Sequence, residues 1–262
     1  MTDIKKPPFI AGNWKMHMTI PEAKDLVSTV VKASVDLAEA EIVVIPPFTA
    51  LSEVRKVLEE SSVQLGAQNL FWEEKGAFTG ETSPSMLKDA GCQYVVVGHS
   101  ERRQYFGETD ASVNKKVKAA LKSGLIPIVC IGESLEERER QKTISKVESQ
   151  LSVGLEGLGE KDMRQAVIAY EPLWAIGTGK TATPAQAEEV HAFIRKKLAE
   201  NYGKDAASCA IILYGGSVKP ANAYSLCTEK DIDGFLVGGA SLEAESFIQI
   251  IKEAVKACKE KT

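Results

Sequence analysis

Short apolar runs alternate with amphipathic stripes from one end of the chain to the other. Runs at 8–12, Glu41–Ile45, 63–67, 93–97, Ile126–Ile131, 166–170, 210–214 and Gly234–Val237 predict strands. Between them, apolar residues recur at helical spacing. Val113, Val117, Ala120 and Leu121 form one stripe, and Ile144, Val147 and Leu151 another. Val190, Phe193, Ile194 and Leu198 form a third, and Phe247, Ile250, Ile251, Ala254, Val255 and Cys258 close the chain as a fourth. Further helices are expected over 21–34, 51–58 and 85–90. The strands are mostly short apolar runs rather than alternating ones, as expected of a parallel sheet covered by helices. About eight βα units within 262 residues match the size of a (β/α)₈ barrel. A doubly wound open sheet is the alternative, but it usually carries a glycine-rich fingerprint after its first strand, where Gly12 here stands alone. No composition shift or linker marks a second domain, so a single barrel is expected over residues 1–262.

Composition narrows the class. With 44% apolar and 26% charged residues the chain reads as an ordinary soluble globular protein. A net charge of −4, spread along the chain, argues against a nucleic-acid partner, and no apolar run approaches a membrane span. The start of the chain lacks an apolar signal core. Five dispersed cysteines with no C-x-x-C pair argue against a disulfide framework or a zinc site, and fit reduced thiols in a cytoplasm.

In a barrel of this kind, functional side chains sit just beyond the strands. Asn13-Trp14-Lys15 follows the first, and Lys15 there is a candidate pocket cation rather than an ordinary surface lysine. Gly98-His99-Ser100-Glu101 follows the fourth, with His99 one of only three histidines. A helix beginning beside it disfavours imidazolium, so a neutral, donating His99 is expected; a structural histidine fits the position equally. Glu171 follows the sixth, where a solvated loop carboxylate is the ordinary outcome. Gly215-Gly216-Ser217 and Gly238-Gly239 follow the seventh and eighth, and paired glycines at short helix starts suit a phosphate.

Pro172 ends the sixth strand, and the apolar segment 173–176 then leads to Gly177 and Gly179, two permissive backbone points. Thr183-Pro184-Ala185-Gln186 opens a helix with a capping residue, a first-turn proline and a reciprocal glutamine. An apolar segment between flexible points beside a carboxylate reads as a lid. No H-E-x-x-H, Walker loop or Cys/His cluster is present, so neither a metal nor a cofactor is expected. A lysine, an imidazole, a carboxylate and a phosphate site suit proton abstraction next to a carbonyl. A Schiff-base aldolase built on Lys15 and a silent phosphate-binding barrel are the competing readings.

Seven segments carry a resemblance. Gly12-Asn-Trp-Lys-Met16, Gly76-Ala-Phe-Thr-Gly-Glu81, Val97-Gly-His-Ser-Glu-Arg-Arg103, Ala169-Tyr-Glu-Pro172, Trp174-Ala-Ile-Gly-Thr-Gly-Lys180, Tyr214-Gly-Gly-Ser-Val218 and Val237-Gly-Gly-Ala240 resemble, in order and spacing, the signatures of the triosephosphate isomerase family. That family is a well-known case of a carboxylate base, a neutral imidazole and a closing loop. The resemblance implies interconversion of dihydroxyacetone phosphate and D-glyceraldehyde 3-phosphate through an enediolate, serving glycolysis and gluconeogenesis without a cofactor. It implies Glu171 as base, His99 as electrophile and Lys15 as electrostatic stabiliser and substrate ligand. Asn13 lines the same pocket, with Glu101 and Ser100 supporting it. Phosphate is expected on the loops of Gly177, Ser217, Gly238 and Gly239, and Tyr214 and Ser217 are expected to hold the closed lid. Cys130 falls near the base; on its own it is a small buried apolar residue. The resemblance also implies a homodimer, with Gly76 and Thr79 entering a neighbour near Asn13 and Lys15 of the partner subunit.

Departures from the family pattern are few. Met16-His17-Met18 stands where an asparagine and a small or charged residue are usual, near the expected interface. Leu173 replaces a commoner Val or Met at the stem of the lid.

Overall fold

A computed structural model describes residues 6–176 and 181–261. Its centre is a closed barrel of eight parallel strands in sequence order. They are β1 Phe9–Asn13, β2 Glu41–Ile45, β3 Gln64–Ala67, β4 Tyr94–Val97, β5 Ile126–Ile131, β6 Val167–Tyr170, β7 Ile211–Tyr214 and β8 Gly234–Val237. β8 closes on β1, with Phe9 opposite Gly234 and Gly12 opposite Val237. The closed barrel is the reading that the alternation of elements favoured over an open sheet.

The strands are mostly apolar because each faces two cores. Phe9 and Ala11 of β1, Val43 and Ile45 of β2, and Val167 and Ala169 of β6 belong to a cluster built of strand residues, the barrel interior. Their neighbours Ile10, Ile42, Val44, Ile168 and Tyr170 pack with helix residues such as Leu26, Val54 and Ile194 in a second cluster outside it. Successive side chains of a strand point to opposite faces, and burial on both faces hides the polar alternation that a half-exposed strand would show.

Local chemistry sets the helix starts. Thr183 Oγ1 accepts the Gln186 N–H at 3.2 Å while Gln186 Oε1 accepts the Thr183 N–H at 3.0 Å, and Pro184 opens the helix Pro184–Tyr202. That reciprocal cap is the one the sequence predicts. Ser83 caps Pro84–Asp89 through the Met86 N–H at 3.3 Å, and the long connection before it carries no regular element. The charge run 136–140 falls on a short helix, Leu135–Glu139, with no buried residue.

Candidate active site

Counting on by two from the last inward residue of each strand reaches Asn13 after Ala11, Pro47 after Ile45, Gln68 after Gly66, Glu171 after Ala169, and glycines 98, 132, 215 and 238 after Val96, Cys130, Leu213 and Leu236. Four of these eight positions are glycine, which leaves room at the top of the barrel. A cavity of about 370 Å³ opens there, lined by Asn13, Lys15, His99, Glu171, Ser217 and Gly239 among others. Two of the glycines are demanded by the glutamate. A Cβ on Gly132 would lie 1.8 Å from the Glu171 carbonyl oxygen, and one on Gly215 would lie 2.9 Å from Glu171 Cγ.

Glu171 is 2% exposed and held by both carboxylate oxygens. Oε2 accepts the Ser100 N–H at 2.9 Å, and Oε1 lies 3.0 Å from His99 Nε2. Burial alone pushes its carboxyl pKa up, but His99, the Ser100 amide and Lys15 together outweigh burial, and the net direction is down. His99 caps the helix Ser100–Phe106, and its Nδ1 accepts the Glu101 N–H at 3.3 Å. With that lone pair engaged, the ring proton belongs on Nε2, which donates to Glu171. Burial pushes the His99 pKa down, yet the adjacent Glu171 and Glu101 carboxylates carry it above its ordinary value. The acceptor role of Nδ1 is that of the neutral imidazole expected at this helix terminus, while the Glu171 and Glu101 carboxylates beside the ring pull its pKa the other way.

Lys15 lies beyond β1 with φ of +53°, a left-handed backbone that non-glycine residues seldom adopt. Its N–H donates to Asn13 Oδ1 at 3.0 Å, and its carbonyl accepts from Gln68 Nε2 at 2.7 Å. These bonds hold the strained turn and send the side chain across the cavity mouth. Nζ meets Glu101 Oε1 at 2.5 Å, and a Cβ on Gly238 would stand 3.7 Å from Nζ. The ammonium thus lies between the imidazole's helix and the glycine loop after β8. Arg103 braces the floor, donating to the Gly98 carbonyl at 2.7 Å and the Cys130 carbonyl at 3.2 Å. Cys130 is fully buried beside Glu171, and burial drives its thiol pKa far up, so it acts as packing.

The loops after β7 and β8 supply backbone N–H groups. Ser217 lies on the cavity wall, and Gly239 opens a single turn, Gly239–Leu242, tied by the Ser241 hydroxyl to the Gly238 carbonyl at 2.7 Å. Tyr214 is buried in the helix-facing layer, and its hydroxyl has no partner among the described residues. Ala182 lies near enough for its amide to temper the rise that burial gives the Tyr214 pKa. Gly177, part of the expected phosphate loop, lies outside the described residues. Of the residues expected at an interface, Met16 is 94% exposed, His17 is exposed at the cavity rim, and Gly76 and Thr79 stand on an exposed loop.

One functional candidate escaped the sequence reading. Glu133 is completely buried, and its carboxylate accepts from the Tyr170 hydroxyl at 3.1 and 3.0 Å and from Trp174 Nε1 at 2.8 Å. It ties the stem of the segment after Glu171 to the end of β5. Its signal was its place, two residues beyond the end of β5, at an exit with no glycine pair, histidine or lysine to draw notice.

The arrangement matches known proteins over nearly its full length. The family model described as Triosephosphate isomerase matches residues 8–254. Triosephosphate isomerase of Moorella thermoacetica is 59% identical over 244 residues, covering 93% of this chain and 97% of that protein. The Thermoanaerobacter pseudethanolicus protein of the same name is 59% identical, covering 93% and 98%. That of Syntrophotalea carbinolica is 56% identical over 245 residues, covering 94% and 97%. At such identity and coverage, with the closed barrel and its strand-exit cavity already in view, the chain belongs to the triosephosphate isomerase family.

Proposed function

We propose that the chain interconverts dihydroxyacetone phosphate and D-glyceraldehyde 3-phosphate by proton transfer through an enediolate. The observation that carries this reading is the contact of Glu171 with His99 Nε2 at 3.0 Å in a cavity that Lys15 overhangs. The substrate phosphate seats on the N–H groups of the Ser217 and Gly238-Gly239 loops. Its carbonyl oxygen then displaces Glu171 from His99 Nε2–H, and the freed carboxylate swings to the carbon acid. Leaving His99 and the Ser100 amide strips away two of the contacts that lower its pKa, so burial weighs more heavily and the carboxylate becomes a stronger base. The same move removes the larger of the two carboxylate influences that raise the His99 pKa. Burial and the Glu101 amide on Nδ1 then leave a neutral ring whose Nε2–H stabilises the enediolate oxygen, with the Lys15 ammonium offsetting its charge.

Assembly as a homodimer belongs to the same reading. Met16, Phe78, Tyr105 and Phe106 present apolar surface to solvent, Phe78 on the exposed loop of Gly76 and Thr79, and a second copy would cover such surface. In this role the reaction serves glycolysis and gluconeogenesis in the cytoplasm. A dehydrogenase-coupled assay started from either triose phosphate tests the proposal. Turnover in both directions is expected, with no covalent adduct on borohydride treatment; absent turnover, or a trapped lysine, would overturn it.

A further inference from the structure

At the base of the barrel, opposite the site, two cysteines separated by 31 positions meet. Cys227 ends the helix Pro220–Cys227, and Cys258 lies in the last turn of the helix Ala244–Glu260. Their sulfurs are 3.6 Å apart. A disulfide needs an S–S distance of about 2.05 Å and Cβ atoms roughly 3.5–4.5 Å apart. Each sulfur therefore has less than one ångström to travel, and both residues sit at helix ends, where small adjustments are least costly.

The two thiols differ in access. Cys227 is fully buried, while Cys258 is half-buried and lines a cavity of about 340 Å³ with Lys6, Pro7, Val255 and Lys259. We infer that Cys227 and Cys258 form a dithiol site that reacts with small-molecule disulfides and closes into a bond between the last two helices of the barrel. The Cys258 thiolate attacks one sulfur of the reagent RS–SR, forming a mixed disulfide and expelling RS⁻. Cys227 then gives its proton to solvent, and its thiolate attacks Cys258 Sγ, forming the Cys227–Cys258 bond and expelling the second RS⁻. Two electrons and two thiol protons leave the protein, and the reagent departs as two thiols once protonated. The order follows from access, and the contact with Cys258, together with burial, holds Cys227 in its protonated form until the mixed disulfide stands beside it.

The test uses the full-length chain with the exposed Cys209 replaced by Ser, treated with oxidised glutathione, alkylated after unfolding and read by intact mass and peptide mapping. The expected product carries no glutathione, has lost alkylation at both cysteines, and yields one cross-linked peptide pair that dithiothreitol separates. Cys227→Ser and Cys227→Ala should instead retain one glutathione on Cys258. Stable glutathione on Cys258 with Cys227 still alkylatable would overturn the proposal. Full alkylation of both thiols after treatment would overturn it too, and neither reading needs a variant at the buried position to fold.

Discussion

Glu171→Asp isolates the position of the base from its charge. Removing one methylene withdraws the carboxylate by about 1.5 Å. From the resting distances of 3.0 Å to His99 Nε2 and 2.9 Å to the Ser100 amide, both contacts stretch past hydrogen-bonding range. The same retraction opens the reach to a bound carbon acid. A misplacement on the order of 1 Å costs roughly 10²-fold in rate, which corresponds to about 2.7 kcal/mol of barrier. The Gly238-Gly239 loop and Lys15 are untouched, so ground-state binding of phosphate should persist. The loss should thus fall on kcat, by about two orders of magnitude or more, with KM changed little. Substrate deuterated at the transferred position should show an enlarged isotope effect, since proton transfer becomes more rate-limiting. Steady-state kinetics in both directions, with and without deuterium, read all three quantities. A variant that retained near-normal kcat would refute Glu171 as the base.

Other outcomes follow from the same geometry. Gly215→Ala puts a Cβ 2.9 Å from Glu171 Cγ and 3.2 Å from the Tyr170 carbonyl oxygen, and should lower kcat at least tenfold while Gly203→Ala, in open space though at a φ of +89°, costs only stability. Glu133→Gln replaces the carboxylate that accepts from the Tyr170 hydroxyl and the Trp174 indole by a weaker acceptor; activity should fall with a larger effect on kcat, and Trp174 fluorescence should report the loosened stem. Thr79→Arg should make activity fall on dilution, checked by sedimentation; a fully active, concentration-independent monomer would contradict the dimer. The Glu171–His99 pair links stability to pH from both sides. Stability from Glu171, whose pKa is depressed, is present above the ordinary carboxylate range and lost as pH falls through its folded value. Stability from His99, whose pKa is raised, is complete below the ordinary imidazole range and lost as pH rises through its folded value. Glu171→Gln should flatten both limbs of a denaturant-midpoint profile against pH; an unchanged profile would show that the pair is not coupled.

Much of this protein was legible because its strands end in distinctive chemistry. Lys15, His99, Glu171 and the two glycine pairs each follow an apolar run, so barrel topology alone was enough to converge them. The Thr183 cap was readable because it is entirely local. What escaped the sequence was set by packing at a distance. Glu133 becomes a buried acceptor only when Tyr170 and Trp174 arrive over it. The resting hold of Glu171 on His99, which raises the histidine's pKa against the pull of burial, depends on a rotamer across the barrel. Cys227 and Cys258 counted as dispersed thiols because no spacing in the chain records the crossing of two helices.

The two-faced strands make residue parity a form of error checking. Removing a single residue within β6 would not merely shorten it. Val167 and Ala169 would exchange layers with Ile168 and Tyr170, a tyrosine would enter the barrel, and the following carboxylate would turn toward the helices. Any odd change in strand length is therefore caught by the core before it can reach the chemistry, while loops beyond the exits carry no such check. Length variation in this chain is consequently free where the elements connect and quantised in steps of two where they form the barrel, so a lineage can remodel the mouth of the cavity without putting its glutamate out of register.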